Sequence, residues 1–140
     1  MSVYVDTSAL LAVMVQDGLH HEEASAVWDR LLDGDERLLT SNYVILELCS
    51  ILQKRFGMSA VHRAVRDILP PVEVLWVDRM THDTALVAMV AANRRALSLV
   101  DCVSLAVMRQ EDITTALTLD PHFAEHGFDV LPDVQCAGTC

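Results

Sequence analysis

Short apolar runs with strand character alternate with longer helical patterns along almost the whole chain. The strand-like runs span residues 2–5, 37–41, 72–77, 114–119 and 128–131, and helical periodicity fills the intervals between them. Alternating strands and helices favour a parallel sheet, and the apolar character of the strands favours helices on both of its faces. The sequence therefore predicts an α/β fold with its ligand crevice outside the carboxyl ends of the strands.

The length and composition of the chain are those of a folded protein with its own core. It has 140 residues, of which 52% are hydrophobic, so we expect a single domain over residues 1–133 and a short C-terminal tail over 134–140. No basic leader precedes the first apolar run, and Asp6 interrupts it, so we expect a cytoplasmic protein with no membrane association. The four cysteines, including Cys136 and Cys140 in the tail, form no disulfide framework.

Four carboxylates are predicted to meet at the crevice. Asp6 directly follows the first strand, Asp120 follows the fourth, and Asp101 begins a helix whose N-terminus points to the same edge. Glu47 lies about one turn into the helix after the second strand, inside the apolar run VILELCSIL. An isolated ionised carboxylate in an apolar interior needs a partner or a metal ion.

Three of these acids also have purely structural explanations. Asp120 stands before a proline and fits a helix N-cap, whereas Ser98 and Asp101 have the spacing of a capping box. Asp6 could simply begin a helix and interact with its dipole. Glu47 occupies no cap position, so its structural alternative is an unseen partner such as a buried arginine.

Mutual repulsion of the four acids indicates a metal ion. Two unit charges about 4 Å apart repel each other by roughly 4 kcal/mol at an effective dielectric of 20. Mg²⁺ or Mn²⁺, which prefer oxygen ligands, would relieve this repulsion, and no histidine-rich or cysteine-rich spacing indicates zinc. The six histidines have no convergent placement and are expected at the surface or at helix ends. They are His20, His21, His62, His82, His122 and His126.

Four short motifs contain these acids, namely VYVDTSALLAV, LELCSIL, SLVDCVSLAVM and TALTLDPHF, in this order. Together they resemble the PIN-domain family and are most similar to the VapC-like toxins of bacterial toxin-antitoxin pairs. The resemblance implies a three-layer α/β/α sandwich with a five-stranded parallel sheet. It also implies an Mg²⁺- or Mn²⁺-dependent endoribonuclease, often a homodimer, that a small antitoxin holds inactive.

The resemblance also implies roles for individual residues. Carried over by motif, it assigns metal binding and catalysis to the four acids, Asp6, Glu47, Asp101 and Asp120. Ser8 and Thr118 stand where family members have hydroxyls that support the acids or metal-bound water. The expected reaction is hydrolysis of an RNA phosphodiester bond by metal-activated water.

The charge of the chain is uneven. A net charge of −10 opposes broad, sequence-independent coating of nucleic acid. Residues 48–66 nevertheless contain no acid, and their cations form what we call the basic patch: Lys54, Arg55, Arg63 and Arg66. The patch is either a solvated face or the surface that holds RNA phosphates.

Apolar residues near the basic patch are expected to form a groove for an antitoxin segment. They include Ile51, Leu52, Val61 and Ile68.

Two other classes of function remain open from the residues alone. An aspartate after the first strand is also the phospho-acceptor of receiver domains and the nucleophile of haloacid-dehalogenase-like phosphatases. The stretch DTS lacks the second acid expected two residues later in the phosphatase pattern. The other alternative is a non-catalytic α/β binding module whose acids are caps, and a failure to bind metal would favour it.

Overall fold

Five short strands form one parallel sheet in the computed structural model of the protein, which describes residues 1–133. The strands are β1 (Ser2–Val5), β2 (Arg37–Ser41), β3 (Val72–Leu75), β4 (Thr115–Leu117) and β5 (Asp129–Leu131). They lie in the order β3-β2-β1-β4-β5, and every neighbouring pair is parallel. The predicted α/β fold with a five-stranded parallel sheet is confirmed. The expected tail, with Cys136 and Cys140, lies outside the described residues.

Helices occupy the intervals between the strands. They are α1 (Thr7–Met14), α2 (His21–Asp33), α3 (Asn42–Phe56), α4 (Met58–Arg63), α5 (Arg79–Ala92), α6 (Leu99–Gln110) and α7 (Pro121–Glu125). The apolar positions of α3 show the expected helical spacing, since Val44, Leu48 and Leu52 are buried. Across residues 1–133, the structure contains no helix with the length and apolar content needed to cross a membrane.

Residues 59–69, which the sequence pattern predicts as one helix, contain a change of helix type. The helix α4 is followed by a wider π-helical turn over Ala64–Ile68. At the end of this turn the Leu69 N–H donates to the carbonyl of Ala64, five residues earlier, at 2.9 Å. The two prolines that follow have no N–H with which to continue a helix, so the chain leaves the turn and enters β3.

The third strand is shorter than predicted. It ends at Leu75, whereas the apolar pattern extends to residue 77. The N–H of Val77 donates to the side-chain oxygen of Asn42, at the start of α3, over 2.8 Å. Because this donor is taken by a side chain, it is not available to the sheet, and the exposed Trp76 lies outside the strand.

The central strand β1 is enclosed on both faces. Val3, Tyr4 and Val5 are fully buried, as expected for the middle of a parallel sheet covered by helices. The Tyr4 hydroxyl lies 2.8 Å from the hydroxyl of Ser104 and 3.2 Å from that of Ser41. Burial raises the pKa of Tyr4 to about 12, although these hydrogen bonds act in the opposite direction. The buried Tyr4 hydroxyl is therefore satisfied by two side chains of the core.

The strand order creates a crevice at the carboxyl edge of β1 and β4. The chain moves from β1 to β2 and β3 on one side and reaches β4 on the other, so the connections diverge at this point. Helices α1, α3 and α7 begin at this edge because they follow β1, β2 and β4. Helix α6 also begins there because it leads back to the start of β4. Residues from distant parts of the chain therefore meet at one edge.

Candidate metal centre

Asp6 lies at the end of β1 and is buried in the crevice, with 3% of its surface exposed. Its Oδ2 accepts two hydrogen bonds, from the Ser8 hydroxyl at 2.8 Å and from the Thr118 hydroxyl at 2.9 Å. Ser8 and Thr118 in turn accept the backbone N–H groups of Leu119 and Asp120. These hydroxyls join the end of β1 to the end of β4 and fix one carboxylate oxygen, while Oδ1 accepts no hydrogen bond from residues 1–133.

The pKa of Asp6 is unusually high, mainly because its side chain is buried. The pKa of this carboxyl group is raised from 3.8 to about 6, first by removal from water and then by the negative charges of Asp101 and Asp120. The hydrogen bonds from Ser8 and Thr118 oppose this shift. A carboxylate in such a position is stabilised by a nearby cation.

Asp101 lies in the first turn of α6 and has a double role. It forms the predicted capping box, in which Ser98 Oγ accepts the Asp101 N–H and Asp101 Oδ2 accepts the Ser98 N–H, both at 3.0 Å. Burial raises the pKa of Asp101, as does the charge of Asp120, while the hydrogen bonds from Ser98 lower it. The structural explanation from the sequence is correct, and the same carboxylate still lies in the crevice.

Asp120 is the N-cap of α7. Its Oδ1 accepts the N–H of His122 at 2.9 Å, and Pro121 occupies the first helical turn as the sequence predicts. The carboxylate is half-buried, with 20% of the side chain exposed. As with Asp101, the capping role directs the carboxylate into the crevice.

His122 corrects the prediction that the histidines lie at the surface or at helix ends. It is buried, and its Nδ1 lies 2.6 Å from Asp120 Oδ1 and 3.6 Å from Asp101 Oδ2. Despite this proximity, Nδ1 has no hydrogen bond of acceptable geometry within residues 1–133. The spacing DPH contains the signal that we missed, because a residue two positions after an N-cap is close enough to turn its ring back toward the cap.

Three potential ligand groups therefore converge. Oxygen atoms of Asp101 and Asp120 and a ring nitrogen of His122 lie within 4.8 Å of one another. Asp6 interacts electrostatically with both acids, and no lysine or arginine in residues 1–133 forms an ion pair with any of the three carboxylates. Clustered anionic oxygens beside an unsatisfied buried nitrogen fit a divalent cation.

Glu47 differs from the other predicted ligands. It is half-buried on α3 rather than enclosed in an apolar interior, because the buried side of this helix carries Val44 and Leu48. It has no hydrogen-bond or ion-pair partner in residues 1–133, and it is not part of the group of atoms within 4.8 Å. The apolar neighbours in the sequence thus gave a misleading indication of burial.

A cavity of about 670 Å³ adjoins the acids. Thr118 and Asp120 form one of its walls, and much of the remainder is apolar, including Pro121, Phe128 and Leu131. Within residues 1–133 the lining also contains the acids Asp129 and Asp133, and Phe128 is its one aromatic side chain, the type on which unpaired RNA bases stack. The cavity therefore offers space for a nucleotide next to the carboxylates.

The basic patch lies away from the acids. Lys54 and Arg55 are exposed at the end of α3, and Arg55 is eight residues beyond Glu47, or about 12 Å along the helix axis. Arg66 is also exposed, whereas Arg63 is half-buried and donates to the Met14 carbonyl at 3.1 Å. Arg63 thus also has a structural role, because its hydrogen bond holds α4 against the end of α1.

The predicted antitoxin groove requires a correction. Leu52 and Ile68 belong to the buried core, because the spacing that makes their helices amphipathic turns these positions inward. Leu52 nevertheless also lines a neighbouring groove, as predicted, whereas Ile68 does not. This groove of about 370 Å³ lies between α1, α3 and α4. Its lining includes Met14, Val15, Phe56, Ala60 and Arg63.

A comparison with protein families matches residues 3–129 to the family described as PIN domain. The 23S rRNA-specific endonuclease VapC20 of Mycobacterium tuberculosis is 31% identical over 133 residues, which cover 94% of this chain and 99% of VapC20. Ribonuclease VapC13 of the same organism is 26% identical over 136 residues, covering 95% of this chain and 97% of VapC13.

Solved structures show the same architecture. The crystal structure of Mycobacterium tuberculosis VapC20, described as a sarcin-ricin loop cleaving toxin, matches with a TM-score of 0.78 and 30% identity. The match covers 90% of this chain and 95% of the VapC20 chain. VapBC2 from Rickettsia felis, bound to a DNA fragment from their promoter, matches with a TM-score of 0.69 and 11% identity over 93% of this chain and 97% of that one. The second likeness concerns the fold alone.

Proposed function

The chain belongs to the PIN-domain family, and from this membership and its acidic crevice we propose that it is a metal-dependent endoribonuclease of the VapC type. The observation that carries the proposal is the convergence of Asp6, Asp101 and Asp120 at the carboxyl edge of β1 and β4, with no lysine or arginine of residues 1–133 paired to them. The relatives reported above support a nuclease rather than a receiver domain or an aspartyl phosphatase.

We assign the following roles to the residues of the crevice. Asp101 and Asp120 hold Mg²⁺ or Mn²⁺ together with Asp6, whose Oδ1 accepts no hydrogen bond within residues 1–133. Ser8 and Thr118 orient Asp6 through its other oxygen. When bound, the cation would lower the pKa of a water molecule and stabilise the negative charge on the phosphate. The apolar cavity beside Asp120 would hold a base next to the cleaved bond.

Structured ribosomal RNA is the substrate class that we propose. The support comes from VapC20, which is named for cleavage of 23S rRNA and of the sarcin-ricin loop and matches this chain over nearly its whole length. The decisive experiment incubates the purified protein with ribosomes and with total RNA, with and without Mg²⁺ or Mn²⁺, and maps the cut ends. Metal-dependent cuts at a defined RNA loop are expected, and an absence of cuts under every metal condition contradicts the proposal.

Glu47 remains a proposed member of the site, acting on the cation through a bound water molecule. We expect Glu47→Gln to weaken Mn²⁺ binding by about tenfold, the usual minimum for loss of an indirect partner. Asp101→Asn should weaken it by more, because a direct ligand is lost. Isothermal titration calorimetry measures the Mn²⁺ affinity of the wild type and of both variants. An equal loss in both would make Glu47 a direct ligand, and no loss in Glu47→Gln would remove it from the site.

We propose that the basic patch holds RNA phosphates that flank the cleaved bond. We replace Lys54 and Arg55 in this test, because Arg63 donates a hydrogen bond to the Met14 carbonyl and its replacement would also disturb the fold. The double variant Lys54→Gln, Arg55→Gln should reduce the slope of log affinity against log salt by up to about 1.4, since each phosphate contact on a single strand contributes about 0.7. RNA binding is measured by fluorescence anisotropy at several salt concentrations.

Arg37→Gln provides the matched control for this experiment. Arg37 is an exposed cation at the start of β2, on the opposite edge of the sheet from the crevice. Its replacement should leave the salt slope unchanged. A double variant whose affinity and salt slope both equal those of the wild type would show that the patch is a solvated face or a partner surface.

A small antitoxin is the protein partner that we propose, because VapC20 is described as a toxin. The groove between α1, α3 and α4 is the proposed contact, since its mixture of apolar side chains with Arg63 suits an amphipathic segment. We test this assignment by co-expressing the protein with the product of a neighbouring small gene and replacing Ala60 by Glu. Loss of the complex with retained RNA cleavage is expected.

The protein is also proposed to form a homodimer. Helix α5 exposes Met80, Val87 and Val90, which are 77%, 69% and 71% accessible, and Trp76 is exposed just before it. An apolar strip of this extent is typical of an interface. We expect light scattering to give twice the monomer mass for the wild type and the monomer mass for Val87→Glu. A monomeric wild type would contradict the dimer.

A further inference from the structure

The Nδ1 atom of His122 is a buried polar atom that lies near two carboxylates and has no hydrogen bond in the described part of the chain. The side chain is 7% exposed, and Nδ1 lies 2.6 Å from Asp120 Oδ1 and 3.6 Å from Asp101 Oδ2. Asp120 Oδ1 already accepts the backbone N–H of the same histidine. An unprotonated Nδ1 beside carboxylate oxygens is repulsive, so the three groups need either a proton on Nδ1 or a cation that they share.

The dimensions of the cluster fit a metal ion as the source of that charge. An octahedral ion with ligands at about 2.1 Å holds adjacent ligand atoms about 3 Å apart and opposite ones about 4 Å apart. All three potential ligand atoms lie within 4.8 Å of one another, and the distance from Nδ1 to Asp101 is within this range. The shorter distance to Asp120 would need to open by only a few tenths of an ångström.

We propose that His122 is a ligand of the catalytic cation and gives the site a preference for Mn²⁺ over Mg²⁺. The inference rests on the proposed nuclease function and adds a nitrogen to its oxygen ligands. Imidazole nitrogen binds first-row transition ions well, whereas Mg²⁺ strongly prefers oxygen. A site of carboxylates alone would discriminate less between these two ions.

Electron spin-echo spectroscopy of the Mn²⁺-loaded protein tests the ligand directly. The wild type should show ¹⁴N coupling to Mn²⁺, which changes to ¹⁵N coupling when the protein is produced with ¹⁵N-histidine. His122→Gln should lose this coupling. His126→Gln is the matched control and should retain it, because His126 is a half-buried residue at the other end of α7 whose Nδ1 contacts the His122 carbonyl at 2.7 Å.

Competition binding gives a second readout. His122→Gln should weaken Mn²⁺ binding by at least about tenfold and Mg²⁺ binding by less, so the ratio of the two affinities falls. Circular dichroism establishes whether the variant is folded. Where it is not, the isotope experiment on the wild type still tests whether a histidine binds the ion, and within residues 1–133 His122 is the histidine that lies in the cluster.

The outcomes separate this inference from the proposed function. A wild type that binds Mn²⁺ and cleaves RNA without histidine coupling overturns the ligand role of His122 and leaves the nuclease proposal intact. Nitrogen coupling that persists in His122→Gln also overturns the ligand role of His122. A protein that neither binds Mn²⁺ nor cleaves RNA with any divalent ion overturns both. Coupling that is present in the wild type and absent in His122→Gln alone establishes the inference.

Discussion

The variant Asp6→Asn will lose RNA cleavage by at least about a thousandfold while keeping its fold. Metal-assisted stabilisation of a phosphodiester transition state is worth several kcal/mol, and each 1.36 kcal/mol corresponds to about tenfold in rate. The amide is nearly the same size as the carboxylate and can still accept hydrogen bonds from Ser8 and Thr118. Cleavage of the RNA loop under single-turnover conditions and circular dichroism together measure the expected separation of activity from folding.

Asp29→Asn supplies the control for this change. Asp29 is an exposed aspartate on α2, so the same loss of charge should leave cleavage unaffected. A fully active Asp6→Asn protein with a normal spectrum would remove Asp6 from the metal centre. An unfolded one would contradict the view that its carboxylate is a functional rather than a structural group.

The same variant should be more stable than the wild type when no metal is present. The folded-state pKa of Asp6 is raised from 3.8 to about 6, so the folded state holds this proton more tightly than the unfolded state does. Stability of the wild type therefore falls as pH rises from about 4 to 6, and the full cost, at most about 3 kcal/mol, is present above pH 6. Urea unfolding at pH 4 and pH 8 should show equal stabilities at the lower pH and a more stable Asp6→Asn at the higher.

Removal of divalent ions will abolish cleavage, and their return will stabilise the fold. A ligand at a hundred times its dissociation constant adds about 2.7 kcal/mol to the stability of the folded state, which corresponds to a rise in Tm of roughly 5 to 10 °C for a chain of this size. The rise should shrink below pH 6, because protons compete with the cation for Asp6. Differential scanning fluorimetry with EDTA, Mg²⁺ or Mn²⁺ at pH 5 and pH 8 measures both effects.

Cleavage that survives exhaustive chelation would contradict the metal-dependent mechanism. The thermal shift has its own control in Asp101→Asn, which should lose most of the stabilisation by Mn²⁺ at pH 8. An equal shift in this variant and the wild type would mean that the ion stabilises the protein from another site.

The sheet and three of the four acids were predictable because they depend on local patterns. Apolar strands separated by helical periodicity fix a parallel sheet, and any acid that directly follows a strand must lie at its carboxyl edge. The helix caps at Asp101 and Asp120 were also predictable from the sequence, since a cap depends on residues three or fewer positions away. Here the same side chains act as helix caps and lie at the proposed metal site.

Features that depend on packing were not predictable from local sequence. The burial of His122 places its ring near Asp101 of α6, whereas the partial exposure of Glu47 follows from the rotation of α3 about its own axis. A rotation of one residue, 100° on a helix, decides whether a side chain points inward or outward. The hydrogen bond of Arg63 to Met14 likewise joins residues 49 positions apart, which no local pattern encodes.

The hydrogen bonds between Ser8, Asp6 and Thr118 have a consequence for biosynthesis. They connect the first strand to a residue more than 100 positions later in the chain, and Asp120 and His122 are synthesised later still. A ribosome that has synthesised the chain as far as residue 113 has therefore produced only Asp6, Glu47 and Asp101 of these groups, and β4 does not yet exist to align them. The acidic crevice can therefore assemble only after the chain has been synthesised as far as residue 122.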